Sequence, residues 1–67
     1  LMKQLAIDAL TYRYKAQQRD AQFVFINYIT NPVAIGEHPQ LLDEMDDALE
    51  KWASARDKLE ALETLLD

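Results

Sequence analysis

The chain contains no cysteine and only one histidine among its 67 residues. Disulfides and thiolate metal sites are therefore excluded, and one imidazole cannot assemble a zinc site by itself. We accordingly expect no metal and no cofactor. Strong chain breakers are also scarce, since Pro32, Gly36 and Pro39 are the only glycine and proline residues. A chain this short rarely gains more than roughly 3–5 kcal/mol from one hydrophobic core, so we expect it to self-associate.

Long apolar runs and a leader-like segment are also missing. No stretch approaches the roughly 20 apolar residues that a membrane-spanning helix needs. We therefore expect a soluble cytoplasmic protein that does not bind a membrane. The residues before Glu37 carry four Lys or Arg and two Asp, a net charge of +2, whereas the remainder carries three and ten, a net charge of −7. Such halves favour their own antiparallel pairing, and duplex DNA is not expected as a ligand.

A heptad pattern is clear from Pro39 onward. Apolar residues recur at alternating spacings of four and three, as on the contact face of a coiled coil. These residues are Leu41, Met45, Ala48, Trp52, Ala55, Leu59, Leu62 and Leu66. Pro39 suits the first position of a helix, and Asp43 and Glu44 suit its first turn. The pattern predicts a helix over about 38–66 that begins near His38 and has an acidic, solvated outer side.

The first helix, predicted over about 2–30, carries two apolar stripes on opposite sides. The first stripe consists of Met2, Leu5, Ala9, Tyr12, Ala16, Phe23 and Ile26, and the second of Ile7, Leu10, Tyr14, Ala21, Val24 and Tyr28. A single partner helix can cover only one stripe, and contiguous exposed apolar surface usually marks an interface. We predict that the second stripe forms the oligomer interface, through Ile7, Leu10, Tyr14, Val24 and Tyr28.

Residues 23–29 could instead form a buried strand, because β-branched and aromatic side chains are concentrated there. The segment nevertheless continues a helical repeat without a breaker, and nothing else in the sequence could pair with a strand. We therefore predict a helix that stops at Asn31, since the residue before Pro32 disfavours the α region. The resulting fold is all-α. It is one antiparallel helical hairpin over residues 1–67, with a loop at 31–38, that self-associates into a four-helix or larger bundle.

The sequence contains few residue combinations that could carry out catalysis. Glu37 and His38 form the one neighbouring His–carboxylate pair, and no Ser or Cys nucleophile is placed beside them. We predict that His38 shapes the start of the second helix or contacts a ligand at the loop. An enzyme is not expected.

A cluster of aromatic and basic residues is a stronger candidate for a ligand-binding site. It consists of Tyr12, Arg13, Tyr14, Lys15 and Arg19. Aromatic rings near guanidinium and ammonium groups can stack a base and hold a phosphate. Tyr12 and Tyr14 lie about 200° apart on a helix, however, so they cannot grip one base from one chain. The alternatives are tyrosines at the core edge beside solvated cations, or a ligand site formed by side chains of two chains.

The segment Asn31-Pro32-Val33-Ala34-Ile35-Gly36-Glu37-His38-Pro39 resembles a loop motif of small helical proteins from large tailed bacteriophages. Those proteins are similar to this chain in size, in an N-terminal helix and in an acidic C-terminal helix with a stretch like residues 53–59. The resemblance covers most of the chain, although Ala34 stands where the motif has Gly. It implies a phage-encoded protein in the host cell cytoplasm. The layout is also similar to the plasmid RNA-binding protein Rop, a hairpin that dimerises into a four-helix bundle, but only the architecture is shared.

Together these features predict a non-catalytic interaction protein that oligomerises and binds or sequesters a host factor. One alternative is a sponge that holds a small anionic ligand, such as a signalling nucleotide, between subunits. Another is a virion assembly or scaffold component that uses its uncovered stripe only for bundling. An exposed acidic face favours a basic protein surface as the partner.

Overall fold

A computed structural model describes residues 1–31 and 40–66. Helix α1 spans Met2–Thr30, helix α2 spans Leu41–Leu66, and the two pack against each other. No strand occurs in the described part of the chain. The prediction of an all-α helical hairpin is therefore confirmed, and residues 23–29 belong to α1 rather than to a strand.

Helix α1 has its predicted bounds, and α2 ends where predicted but begins later. Asn31 follows α1 with φ −119° and ψ 76°, outside the α region, as expected of a residue that precedes proline. At the start of α2 the backbone N–H of Glu44 donates to the carbonyl of Gln40 at 3.0 Å, and the helix begins at Leu41. This start is later than the predicted one near His38. The predictions for the loop, including the role of His38, fall outside the described residues.

Each helix contacts the other through one continuous face, called here the seam. The α1 residues that are not exposed are Ile7, Leu10, Thr11, Tyr14, Gln18, Ala21, Phe25 and Tyr28. The corresponding α2 residues are Leu41, Met45, Ala48, Trp52, Ala53, Ala55, Leu59 and Leu62. Apart from Leu10 and Ala53, these positions alternate at spacings of four and three on both helices, as coiled-coil packing requires. The predicted face of α2 is confirmed except for Leu66, the last residue of the helix, which is exposed.

The centre of the seam is built from small side chains. Among the described residues only Ala21, Leu41, Ala48 and Ala55 are buried. Alanine at contact positions lets two helix axes approach closely, but it removes little apolar area from water. The hairpin therefore has a small core.

Two side-chain pairs show the direction and register of the helices. Lys58 Nζ lies 5.3 Å from the centre of the Tyr14 ring, and Tyr28 and Glu44 line the same groove between the helices. Tyr14 and Tyr28 are two heptads apart on α1, and Lys58 and Glu44 are two heptads apart on α2 in the reverse order. The helices therefore run antiparallel and keep the same register across this distance.

Candidate protein-interaction surface

The back of α1, which faces away from α2, carries an uncovered apolar surface. We call this surface the outer stripe. It consists of Met2, Leu5, Ala9, Tyr12, Ala16, Phe23 and Ile26, all of them exposed. Leu5, Tyr12 and Phe23 expose 62%, 69% and 73% of their surface. Arg19 occupies the one position of this repeat that is not apolar, so alternating spacings of three and four run without interruption from Met2 to Ile26. Helix α1 therefore has a second heptad face opposite its seam.

The structure corrects the predicted oligomer interface. Ile7, Leu10, Tyr14 and Tyr28 are partly buried and belong to the seam, whereas Val24 lies at its edge and remains 40% exposed. Helix α2 therefore covers the stripe that we expected to be free. Helix α2 can cover this stripe because polar Thr11 and Gln18 complete its heptad. A search for apolar residues alone overlooks their contribution. The surface left for a partner is the outer stripe.

Two adjoining grooves extend this surface near the loop end of the hairpin. A groove of about 470 Å³ lies on the back of α1 and is lined by Arg19, Gln22, Phe23, Ile26, Asn27 and Thr30. A groove of about 270 Å³ lies between the helices and is lined by Ala21, Gln22, Phe25, Ile26, Leu49 and Trp52. Because Gln22 and Ile26 line both grooves, exposed apolar surface continues from the back of α1 onto α2.

Charged side chains line the groove on the other flank of the seam. A wide groove of about 860 Å³ there includes Asp20, Glu44, Asp47, Lys51 and Lys58 among its lining residues. Within residues 1–31 and 40–66, no three His, Cys, Asp or Glu side chains are grouped so that they could hold a metal ion.

The aromatic and basic cluster does not converge within one chain. Tyr12 is exposed on the outer stripe, whereas Tyr14 is turned toward α2 and lies beneath Lys58. Arg13 and Lys15 are exposed, and by helical geometry they flank the outer stripe on either side. Arg19 lies within the stripe and donates from Nη1 to Oε1 of Gln22 at 3.3 Å. Any site that used all of these residues would need two chains.

Direct ion pairs do not join the two helices in the described part of the chain. The one ion pair found there links Arg56 and Asp57, neighbours on α2, at 3.6 Å with both side chains exposed. Such a pair contributes little to stability. Arg13, Lys15 and Arg19 lie on or beside the outer side of α1, away from the acids of α2. Among the described residues, the opposite charges of the two halves therefore do not form direct contacts between the helices.

The contact between Tyr28 and Glu44 raises the pKa of the phenol above its ordinary value of 10.0. Hydrogen bonding to the Glu44 carboxylate is the largest cause, followed by desolvation and by the negative charge of that carboxylate. A phenol whose pKa is raised on folding contributes stability that is fully present below its ordinary pKa. This stability is lost as the pH rises through the folded-state pKa.

Replacing Glu44 with Gln is expected to lower the pKa of Tyr28 toward its ordinary value, because the acceptor charge disappears. The titration can be followed by NMR at the Tyr28 ring carbon that bears the hydroxyl. Glu60→Gln, which removes an exposed carboxylate elsewhere on α2, should leave the Tyr28 midpoint unchanged. A Tyr28 midpoint unaffected by Glu44→Gln would show that the contact is not formed in solution.

No protein-family model, curated protein or solved structure matches the chain. Among the described residues, neither helix combines the length and apolarity needed to cross a bilayer.

Proposed function

We propose that this chain is a non-catalytic protein-interaction module that self-associates through the outer stripe of α1. The observation that carries the proposal is the pair of opposed heptad faces on α1, of which α2 covers only one. Heptad faces are built for helix–helix contact, and an uncovered one with exposed Leu5, Phe23 and Ile26 is a surface suited to another helix.

The total exposed area supports this proposal. The hairpin exposes 5553 Å², whereas a compact monomer of 7.8 kDa exposes about 4,400 Å². The difference of roughly 1,200 Å² is comparable with the area of about 800 Å² that each partner buries in a standard interface. Self-association would therefore bring the chain to the degree of burial that is usual for a stable protein.

We further propose that the assembled protein binds or sequesters another protein, which would be a host factor if the chain is phage-encoded as its loop motif implies. The outer side of α2 is acidic and exposed, with Asp43, Asp46, Glu50 and Asp57 among its residues. It would stay accessible after the outer stripes pair. A basic partner surface would complement it.

One observation favours the alternative of a small anionic ligand. Tyr12 and Arg19 are on the outer stripe and Arg13 and Lys15 are beside it, so pairing of two stripes would bring the cations of two chains together. An anion bound there would relieve their repulsion. This alternative requires the same self-association and so depends on the same first test.

Sedimentation equilibrium of the unmodified protein at micromolar concentrations tests the proposal. We expect a mass of two chains or more, because the outer stripe is too apolar to remain in water. The melting temperature should also rise with protein concentration, since association stabilises the folded chain by mass action. A folded monomer at all concentrations would overturn the proposal.

A further inference from the structure

We infer that the occupant of the outer stripe is a second copy of this chain, whose α1 lies antiparallel to the first with the two-fold axis near residue 14. This inference rests on the proposed function and specifies the partner of the same surface. It makes the contact isologous, so that the same face is used twice and the assembly closes as a dimer.

The distribution of apolar surface favours a second copy. The far side of α2 presents acidic residues, including Asp43, Glu50 and Asp57, and offers no apolar repeat that could cover the outer stripe. Within the described residues, the outer stripe is the one extended heptad face that remains uncovered. A copy of this chain can therefore match its length and spacing only by presenting its own outer stripe.

The sizes of the side chains favour the antiparallel direction. An antiparallel heptad pairing centred near residue 14 forms layers that join Met2 to Ile26, Leu5 to Phe23, Ala9 to Arg19, and Tyr12 to Ala16 of the second copy. Each alanine then faces a long side chain, so the layers fill evenly. Arg19 opposite alanine also has room to extend its guanidinium to the edge of the contact, where it stays hydrated.

A parallel pairing in register would pack the same stripe poorly. Ala9 and Ala16 would each face themselves and leave gaps, while Arg19 would face Arg19 of the second copy and place two like charges in one layer. Parallel pairing would in return set Asp8 near Arg13 and Lys15 near Asp20 across the contact. The antiparallel pairing instead sets Arg13 and Lys15 near their own copies. All of these charges are at the exposed edge, where such interactions contribute little, so they do not outweigh the gaps and the paired Arg19 residues within the parallel contact.

Spin labels on single cysteines test the direction of the pairing, because the chain has no cysteine of its own. Ala6→Cys and Asn27→Cys place labels at equivalent heptad positions beside the outer stripe, near opposite ends of α1, and both sites are exposed. With a rise of 1.5 Å per residue, the antiparallel pair separates the two labels at residue 27 by about 40 Å and those at residue 6 by about 25 Å. A parallel pair would hold both at roughly 10–15 Å.

We expect the two longer and unequal distances by pulsed electron paramagnetic resonance, with the mass of each labelled protein confirmed by sedimentation. Short and equal distances in a dimer would overturn the antiparallel arrangement and leave the proposed function intact. A dimer whose two distances fit neither direction would show that another face pairs, and would likewise overturn this inference. A monomer would overturn both this inference and the proposed function.

Discussion

Replacing Ala55 with Asp is expected to unfold the hairpin. Ala55 exposes only 1% of its surface and lies in the middle of the seam, so a carboxylate there would be desolvated without a partner. An unpaired buried charge costs about 3–5 kcal/mol, which equals the whole stability expected of a core this small. Far-ultraviolet circular dichroism should show most of the helical signal lost at room temperature.

Ala61→Asp is the matched control for this prediction. Ala61 is on the same helix but exposed, so the same substitution changes helix propensity there by only about 0.5 kcal/mol and buries no charge. We expect it to melt within a few degrees of the unmodified protein. If the two variants melted alike, Ala55 would not lie between the helices and the register described above would be wrong.

Replacing Phe23 with Glu is expected to separate the assembly while leaving the hairpin contacts in place. Phe23 is 73% exposed in the single chain and contributes little to the hairpin. In a symmetric pair the substitution inserts two carboxylates into the contact, each opposite Leu5 of the other chain. We expect the dissociation constant to rise by about two orders of magnitude, equivalent to about 3 kcal/mol. Sedimentation equilibrium measures this change.

Leu65→Glu provides the comparison for Phe23→Glu. Leu65 is also a large exposed apolar residue, 81% exposed, but it is near the end of α2 and outside the outer stripe. Its replacement should leave the dissociation constant within a factor of a few. Circular dichroism above and below the dissociation constant would separate loss of association from loss of helix. Equal weakening by both variants would indicate nonspecific apolar contact rather than pairing through the stripe.

The contact face of α2 could be predicted from sequence because its apolar heptad is uninterrupted. From Leu41 to Leu62 every position spaced by four or three is apolar, and all of them are covered in the hairpin. The pattern is less informative at the two ends of the helix. Leu66 continues the pattern but is exposed, because no further turn follows it. The helix begins at Leu41, whereas the predicted start was near His38.

The contact face of α1 could not be assigned in the same way. Both of its faces repeat as heptads, and each is interrupted by polar residues, Thr11 and Gln18 on the seam and Arg19 on the outer stripe. Thr11 fits the seam because its hydroxyl donates to the carbonyl of Ile7 at 2.8 Å, which satisfies it without a partner on α2. Apolar periodicity alone therefore detected two stripes but could not determine which one α2 covers.

The register of the hairpin also required the structure. Charge suggested that a basic first half would pair with an acidic second half, yet the described residues show no ion pair between the helices. The seam brings together small side chains instead, with Ala21, Ala48 and Ala55 buried. Close packing depends on which residues face each other, and composition contains no information about that.

The slender shape of the hairpin affects how its size must be measured. The molecule extends 51 Å along its axis but only 16 by 14 Å across. Such a rod experiences more friction in solution than a sphere of the same mass, so it diffuses more slowly and elutes earlier from a sizing column. A single chain would then be mistaken for a heavier species, and an antiparallel pair lying side by side would elute closer to it than a doubling of mass suggests. Light scattering, which reports mass independently of friction, would separate the two.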